Sequence, residues 1–422
     1  MIDTGGQFDD ATRALSRRRF LVGATALAAG GIAAGLGANR ASASPRVPFV
    51  PLGGQPHGLP KRQHAWTGTL AIDSVGDPIA PRFARLLFFD VRGRPTRAHA
   101  RLLEARLRTL ERRFHWGPGG LLVTASWGTA YFTHVLGVPS PVPRATRMSS
   151  FESPRIDNYH LCLHLACDDE RRLAAVEAAL VHGARLPGVR GSLSLGKALV
   201  WRETRAGFKG AGLPASHQDV RGIPAGNPVS RGAPLFMGFK SGLRKNQATE
   251  DDVTIVKGRF AGGTTMHVSY MRLNLDDWYG ALSPQDRVSR MFSPQTSVAE
   301  VRRITTDAPS EPNRINQAIR LYGVVGHSQT TAQARKRGRP LIIRRDFNTV
   351  DGDRAGLHFV AVQRSIDDFV VTRNAMNASG AHLENKVITA TANNGINAFI
   401  FVRHRANYIT PSRAERSFPL LS

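Results

Sequence analysis

The chain is predicted to be an α+β protein built from two tandem ferredoxin-like units, dimeric α+β barrel-like, with antiparallel sheets and helices packed on them. Three observations predict it. Residues 84–201 read in the order β-α-β-β-α-β. The same order returns after a connector rich in Gly, Pro and Ser at 206–235. A single doubly wound sheet would need a Gly-rich phosphate loop after its first strand, and none stands there.

The chain opens with Ser16-Arg17-Arg18-Arg19-Phe20-Leu21 and a Gly/Ala-rich apolar run from Val22 to Ala38, which reads as a twin-arginine export signal. Ala41-Ser42-Ala43 offers a small-residue cleavage site before Ser44. The run from Leu21 to Leu36 is short and weakly apolar for a spanning helix. Residues 1–43 are therefore expected to be a signal peptide that is removed. The Tat translocon would carry the folded protein to the periplasm, the cell wall or the medium, and such cargo often holds a cofactor loaded in the cytoplasm.

Residues 44–78 form a Pro- and Gly-rich extension, and 79–205 the first unit. Ala84–Val91 is a strand. Thr96–Phe114 carries leucines at 102, 103, 107 and 110 with arginines between, an amphipathic helix that Thr96 can cap. Gly120–Trp127 and Tyr159–Cys167 are strands, Asp168 or Asp169 caps a helix over 170–182, and Val189–Trp201 is the fourth strand. In the second unit, 236–422, Gly263–Leu273 is a strand with Thr265, His267, Ser269 and Met271 on one face. A short helix starts at Asp276, strands follow at 341–345 and 355–363, then a helix at 366–376 and a closing strand at 396–404. The stretch 283–339 reads as a long irregular loop, a length more often functional than idle.

Lys and Arg number 57 against 32 Asp and Glu, a net charge of +25, most of it outside the signal. Nucleic acid is disfavoured as the partner. Export removes the chain from it, and with 7% aromatics there is no interleaving of basic and aromatic residues to form a stacking platform. Solubilising surface charge, or contact with anionic envelope components, accounts for the balance. Cys162 and Cys167 are five apart on an alternating strand and face opposite ways, which argues against a disulfide between them. His160, Cys162 and His164 share a face in the manner of metal ligands, but no second ligand cluster accompanies them and a buried strand explains the pattern.

Across 80–404 the chain resembles the dye-decolourising (DyP-type) peroxidases, haem enzymes with two ferredoxin-like halves. Gly262–Trp278, Ile342-Ile343-Arg344-Arg345, Gly356–Gln363 and Ile156–Leu161 carry the resemblance through their order and spacing. It implies haem b as cofactor, with His327 as the axial iron ligand, ahead of Arg344 at the family's spacing. Glu384 falls at the position of the acid that orients that histidine. Arg344 would be the distal arginine that favours bound peroxide, and Arg345 would meet a propionate or solvent. The family's Gly-x-x-Asp-Gly motif reads Gly238-Phe239-Lys240-Ser241-Gly242 here, so Ser241 stands where the family has its proton-moving Asp. A serine hydroxyl cannot act as a carboxylate base near neutral pH. The family's Gly-Tyr after the paired arginines is replaced by Asp346-Phe347-Asn348.

Two functions follow as expectations. One is an exported haem peroxidase that reduces hydrogen peroxide and oxidises an organic electron donor, with Trp278 or Tyr279 as relay or packing residues. The other is a non-catalytic haem-binding or envelope-binding descendant of the same fold. The number of copies that assemble is left open.

Overall fold

In the computed structural model, residues 57–74, 76–240, 246–303 and 314–421 are described; the signal segment and Ser241 lie outside them. The first half contains β1 (Phe83–Val91), α1 (Arg97–Arg113), β2 (Leu122–Gly128), the two-residue β3 (Arg155–Ile156), β4 (Leu161–Cys167), α2 (Glu170–His182) and β5 (Leu199–Phe208). The second begins with β6 (Thr264–Leu273), then α3 (Leu275–Gly280), α4 (Pro284–Met291), α5 (Val298–Arg303), α6 (Ile315–Gln317) and α7 (His327–Thr331). A small hairpin follows, β7 (Arg335–Lys336) and β8 (Arg339–Pro340), then β9 (Ile342–Arg344), β10 (Phe347–Thr349) and β11 (Gly356–Gln363). The chain continues with α8 (Ile366–Asn377), α9 (Ala381–Glu384) and β12 (Ile400–Thr410). No helix among the described residues is long and apolar enough to cross a membrane.

The strands close into an antiparallel barrel of eight, β5-β1-β4-β2-β12-β6-β11-β10 and back to β5. β9 extends outward from β11, and β3 runs parallel to β12. Strand order is β5-β1-β4-β2 in the first half and β12-β6-β11-β9 in the second. Closure is narrow: β10 meets β5 only where Asn348 lies opposite Phe208. The Asn348 carboxamide reinforces it, donating to the carbonyls of Phe208 and Pro234, each at 3.0 Å, and accepting from the Phe236 N–H at 2.9 Å.

Alternation along the strands sorts the core into layers. Leu86, Phe88, Cys162, Ala166, Met266, Val268, Val360 and Tyr408 fill the barrel. Leu87, Phe89, Leu163 and Leu165 face outward and pack against Leu103, Leu107 and Leu110 of α1 and Leu173 and Val176 of α2. Thr96 caps α1, accepting from His99 N–H at 3.3 Å, and Asp169 caps α2, accepting from Arg172 N–H at 3.2 Å. The chain's end is tied to α1 by Arg413 and Arg416, both buried: Arg416 bonds Glu104 and Glu111, and Arg413 also reaches Glu111.

Cys162 and Cys167 are buried free thiols. His164 sits inside the barrel with its ring tilted against Trp66 at 5.1 Å and Phe347 at 6.2 Å, while His160 Nδ1 accepts from Val91 N–H at 2.9 Å. Among the described residues no group of three or more His, Cys, Asp or Glu is placed to hold a metal ion.

Three sequence expectations need correction. The fourth strand is β5 at 199–208, not 189–201, because its charged residues are used: Arg205 pairs with buried Asp157 at 2.6 Å. The last strand starts at Ile400 and runs to Thr410, continuing past the polar His404–Arg405, which a register shift accommodates. Within 283–339 the described residues hold short helices where an irregular loop was expected, α4 being opened by a Ser283–Asp286 capping box with Pro284 in its first turn.

Candidate functional site

A large cavity lies on the outer face of the second-half strands, beneath α8 and α7 and beside the 235–240 segment, with about 1590 Å³ of empty space including its mouth. Phe239, Phe292, Leu357, Phe359, Phe369 and Ile400 give it apolar walls. His327, Arg344, Arg373, Arg405 and Asp346 supply most of its charged and nitrogen-donor groups.

His327 begins α7, and its backbone is clamped. A Cβ on Gly326 would fall 1.8 Å from the Phe292 carbonyl oxygen, and one on Gly395 would fall 3.1 Å from His327 Cα. Gly395 also adopts φ +50°, which favours glycine. The Gln329 side chain accepts from Gly326 N–H at 3.0 Å and closes the helix start. Burial first, then the charges of Arg344 and Arg373, lower the imidazole pKa from 6.5 to about 3, so the ring is neutral. Its Nδ1 is buried without a hydrogen-bond partner, which leaves Nε2 as the ring nitrogen on the cavity side.

Arg344 ends β9 opposite Ala361, and its N–H donates to Gln247 Oε1 at 3.0 Å. Burial lowers its pKa against the opposing pull of Asp346 and Asp77. The strand then breaks before β10 resumes. Arg345 turns to the other side, with its guanidinium 3.8 Å over the Trp66 ring and a hydrogen bond to the His64 carbonyl. It does not line the large cavity. Asp346 returns to the cavity side, and its Oδ2 accepts from Lys209 Nζ at 3.1 Å. Burial pushes its carboxyl up, but Lys209 and Arg344 outweigh that and hold it below the ordinary value. Deeper in, Arg405 donates to both oxygens of buried Glu152 at 3.0 and 2.8 Å, and Arg373 stands 3.6 Å from the same carboxylate.

The structure thus brings His327 and Arg344 to one cavity and sets Arg345 behind it. Glu384 is exposed at the end of α9 and makes no hydrogen bond to His327, whose Nδ1 has no partner; the short α9 carries the carboxylate toward solvent. Trp278 is buried, its indole N–H bonding the Met237 carbonyl at 3.0 Å, and the Tyr279 hydroxyl bonds the Phe236 carbonyl at 2.6 Å; both are packing residues. Sequence reasoning missed Asp346, Arg373 and Arg405. Asp346 was readable as an acid directly after the arginine pair. Arg373 was readable as a charge on the Ile366–Phe369 face of α8.

A neutral nitrogen donor, flat apolar walls and several cations fit a broad aromatic macrocycle bearing carboxylates, and haem meets that description. The fold and this cavity define a DyP-like α+β barrel protein. The model of DUF7405, a family of unknown function, matches residues 81–412, and the chain belongs to that family. Among solved structures, a DyP-type peroxidase from Cellulomonas bogoriensis is 18% identical, with a TM-score of 0.56 over 80% of this chain and 94% of that one. A variant of DypB from Rhodococcus jostii RHA1 in complex with heme is 14% identical, with a TM-score of 0.55 over 84% and 98%. A putative DyP-type peroxidase from Shewanella oneidensis is 14% identical, with a TM-score of 0.53 over 79% and 94%. No curated protein matches the chain. At these identities the likeness shows the fold alone.

Proposed function

We propose that this chain is an exported, divergent relative of the DyP-type peroxidases that binds haem b in the large cavity and reduces hydrogen peroxide at the expense of an organic electron donor. The observation that carries the reading is one cavity, in a DyP-like fold, that joins a neutral, half-buried imidazole at His327 to the Arg344 guanidinium. Haem, when bound, supplies the one-electron redox chemistry. His327 would offer Nε2 to the iron, and because its Nδ1 has no carboxylate partner it would be a weaker electron donor than a carboxylate-backed histidine. Arg373 and Arg335 are the cations that haem carboxylates could meet. Arg344 would hold an anionic oxygen ligand in a low-dielectric site, where a cation acts most strongly.

The repeated strand order supports reading 79–205 and 236–422 as duplicated ferredoxin-like units joined by 206–235, and the twin-arginine segment supports Tat export. The alternative, a non-catalytic haem-binding descendant, is favoured by Ser241 at the position of the family's acid. Reconstitution separates the readings. Haem added to the purified protein should give a Soret band that His327→Ala weakens or shifts. Peroxide-dependent donor oxidation above the His327→Ala level supports the peroxidase, and its absence in the loaded protein supports the carrier. No haem uptake by the wild type defeats both.

A further inference from the structure

A second and smaller cavity, with about 610 Å³ of empty space including its mouth, lies between the 66–81 segment, the β9–β10 junction, His164 of β4 and Lys209 just after β5. The haem reading does not use it. Its polar lining is rich in donors. Arg345 makes one hydrogen bond, to the His64 carbonyl, and no ion pair among the described residues; its guanidinium lies 3.8 Å over the Trp66 ring. Burial lowers its pKa to about 9, so it stays a cation at neutral pH. Glu250, the acid whose charge it feels, turns Oε1 to the Trp66 and Thr67 N–H groups at 2.6 and 2.7 Å. His164 is 2% exposed, and no described residue gives its ring a hydrogen bond. Burial and the Arg345 charge keep that ring neutral, with one N–H to donate. Gln247 accepts the Arg344 N–H through Oε1 at 3.0 Å, which leaves its NH2 as a donor. Three cations, Arg344, Arg345 and Lys209, line the space with one carboxylate, Asp346, which Lys209 already holds at 3.1 Å. Such a donor-rich space of net positive charge favours an anion.

We propose that the smaller cavity binds a small planar monoanion of the carboxylate class, of formate or bicarbonate size, with Arg345 as its principal cation and the Gln247 carboxamide and His164 imidazole as further donors. The planar guanidinium matches two coplanar oxygens, which selects a carboxylate over a spherical halide. Leu70, Pro78, Pro81 and Phe347 wall the space with apolar groups and keep the occupant small. The proposal involves no haem and stands or falls apart from the haem reading. Arg344 and Asp346 border both cavities, so an occupant sets a negative charge behind the pair that the large cavity presents.

Formate is the probe, titrated into the purified full chain at constant ionic strength with chloride as the balancing anion. The Trp66 indole N–H resonance of ¹⁵N-labelled protein, identified by its absence from Trp66→Phe, should move saturably with a millimolar midpoint. Arg345→Met should weaken formate about tenfold or more, the loss of a charge-assisted contact. Arg345→Lys, which keeps the charge without the fork, and Gln247→Leu should each weaken it by a smaller factor, and they decide the matter if Arg345→Met does not fold. Arg335→Gln, at the large cavity, should bind as the wild type does. Formate should also raise the melting temperature of the wild type more than that of Arg345→Met. Equal midpoints in the wild type and the Arg345 and Gln247 variants overturn the site, as does a Trp66 resonance that stays fixed up to about 200 mM formate. Weakening in Arg335→Gln alone puts the anion in the large cavity and overturns it too. Chloride binding as tightly as formate overturns the carboxylate assignment. Failure of the protein to take up haem changes none of these outcomes.

Discussion

Replacing His164 with phenylalanine should make the protein more resistant to acid. The imidazole is buried in the barrel between Trp66 and Phe347. Burial and the Arg345 charge lower its pKa from 6.5 to about 3. The folded state therefore refuses a proton that the unfolded chain accepts, so this residue costs no stability above pH 6.5 and costs progressively more as pH falls from 6.5 toward 3. At pH 5 the unfolded chain gains RT ln(1 + 10^1.5), about 2 kcal/mol, from protonating this one group, with a slope approaching about 1.4 kcal/mol per pH unit. Urea unfolding followed by tryptophan fluorescence at about pH 8, 6.5, 5.5 and 5 would measure it. The stability of His164→Phe relative to wild type should rise by about 2 kcal/mol between pH 8 and pH 5, whatever offset the substitution itself introduces. Parallel curves would refute the reasoning, since they would mean that the ring titrates normally in the folded state. His64, bonded to Thr254 Oγ1 at 2.8 Å and also lowered to about 3, should contribute a second increment of the same sign.

Other predictions follow from packing and pairing. Arg416→Met leaves Glu104 and Glu111 short of their buried partner and should cost about 3–5 kcal/mol in urea unfolding, the range for breaking a buried ion pair from one side. Gly326→Ala drives a Cβ into the Phe292 carbonyl; it should destabilise the protein by about 1–3 kcal/mol and, by displacing the start of α7, reduce haem uptake in the Soret assay. Ser365→Ala removes the cap of α8 and should cost about 1 kcal/mol with cofactor affinity unchanged. Thiol reductant should leave the melting temperature unchanged, because Cys162 and Cys167 are both free.

The elements legible in advance were those with a strong local pattern. Leucines at helical spacing behind Thr96 fixed α1, the apolar run Leu86–Phe89 fixed β1, and apolar residues at alternate positions fixed β4 and β11. What failed was decided by distant partners. β5 runs through Arg202-Glu203-Thr204-Arg205, which looks like surface until Asp157 is brought alongside. β10 is three residues long, and only its position between β5 and β11 makes it a strand. At the site, His327 and Arg344 were readable through spacing within a resemblance, whereas Glu384 was assigned by position on a short exposed helix whose direction the sequence does not encode. Asp346 stood in plain view, but its value depends on Lys209, far away in the chain, reaching it at 3.1 Å.

The single backbone pair between Asn348 and Phe208 makes this barrel a hoop fastened by one clasp. Seven of its eight seams carry at least two paired residues, while the eighth carries one and is held besides by side chains: the Asn348 carboxamide, Thr349 Oγ1 donating to the Ala206 carbonyl at 2.7 Å, and Asp351 Oδ2 accepting from the Ala206 N–H at 3.3 Å. Releasing that clasp would turn a closed ring into an open sheet with two raw edges, and Asn348 itself borders the large cavity. The narrowest seam of the ring therefore lies beside the large cavity, and amide exchange at Asn348 and Phe208 would report its opening.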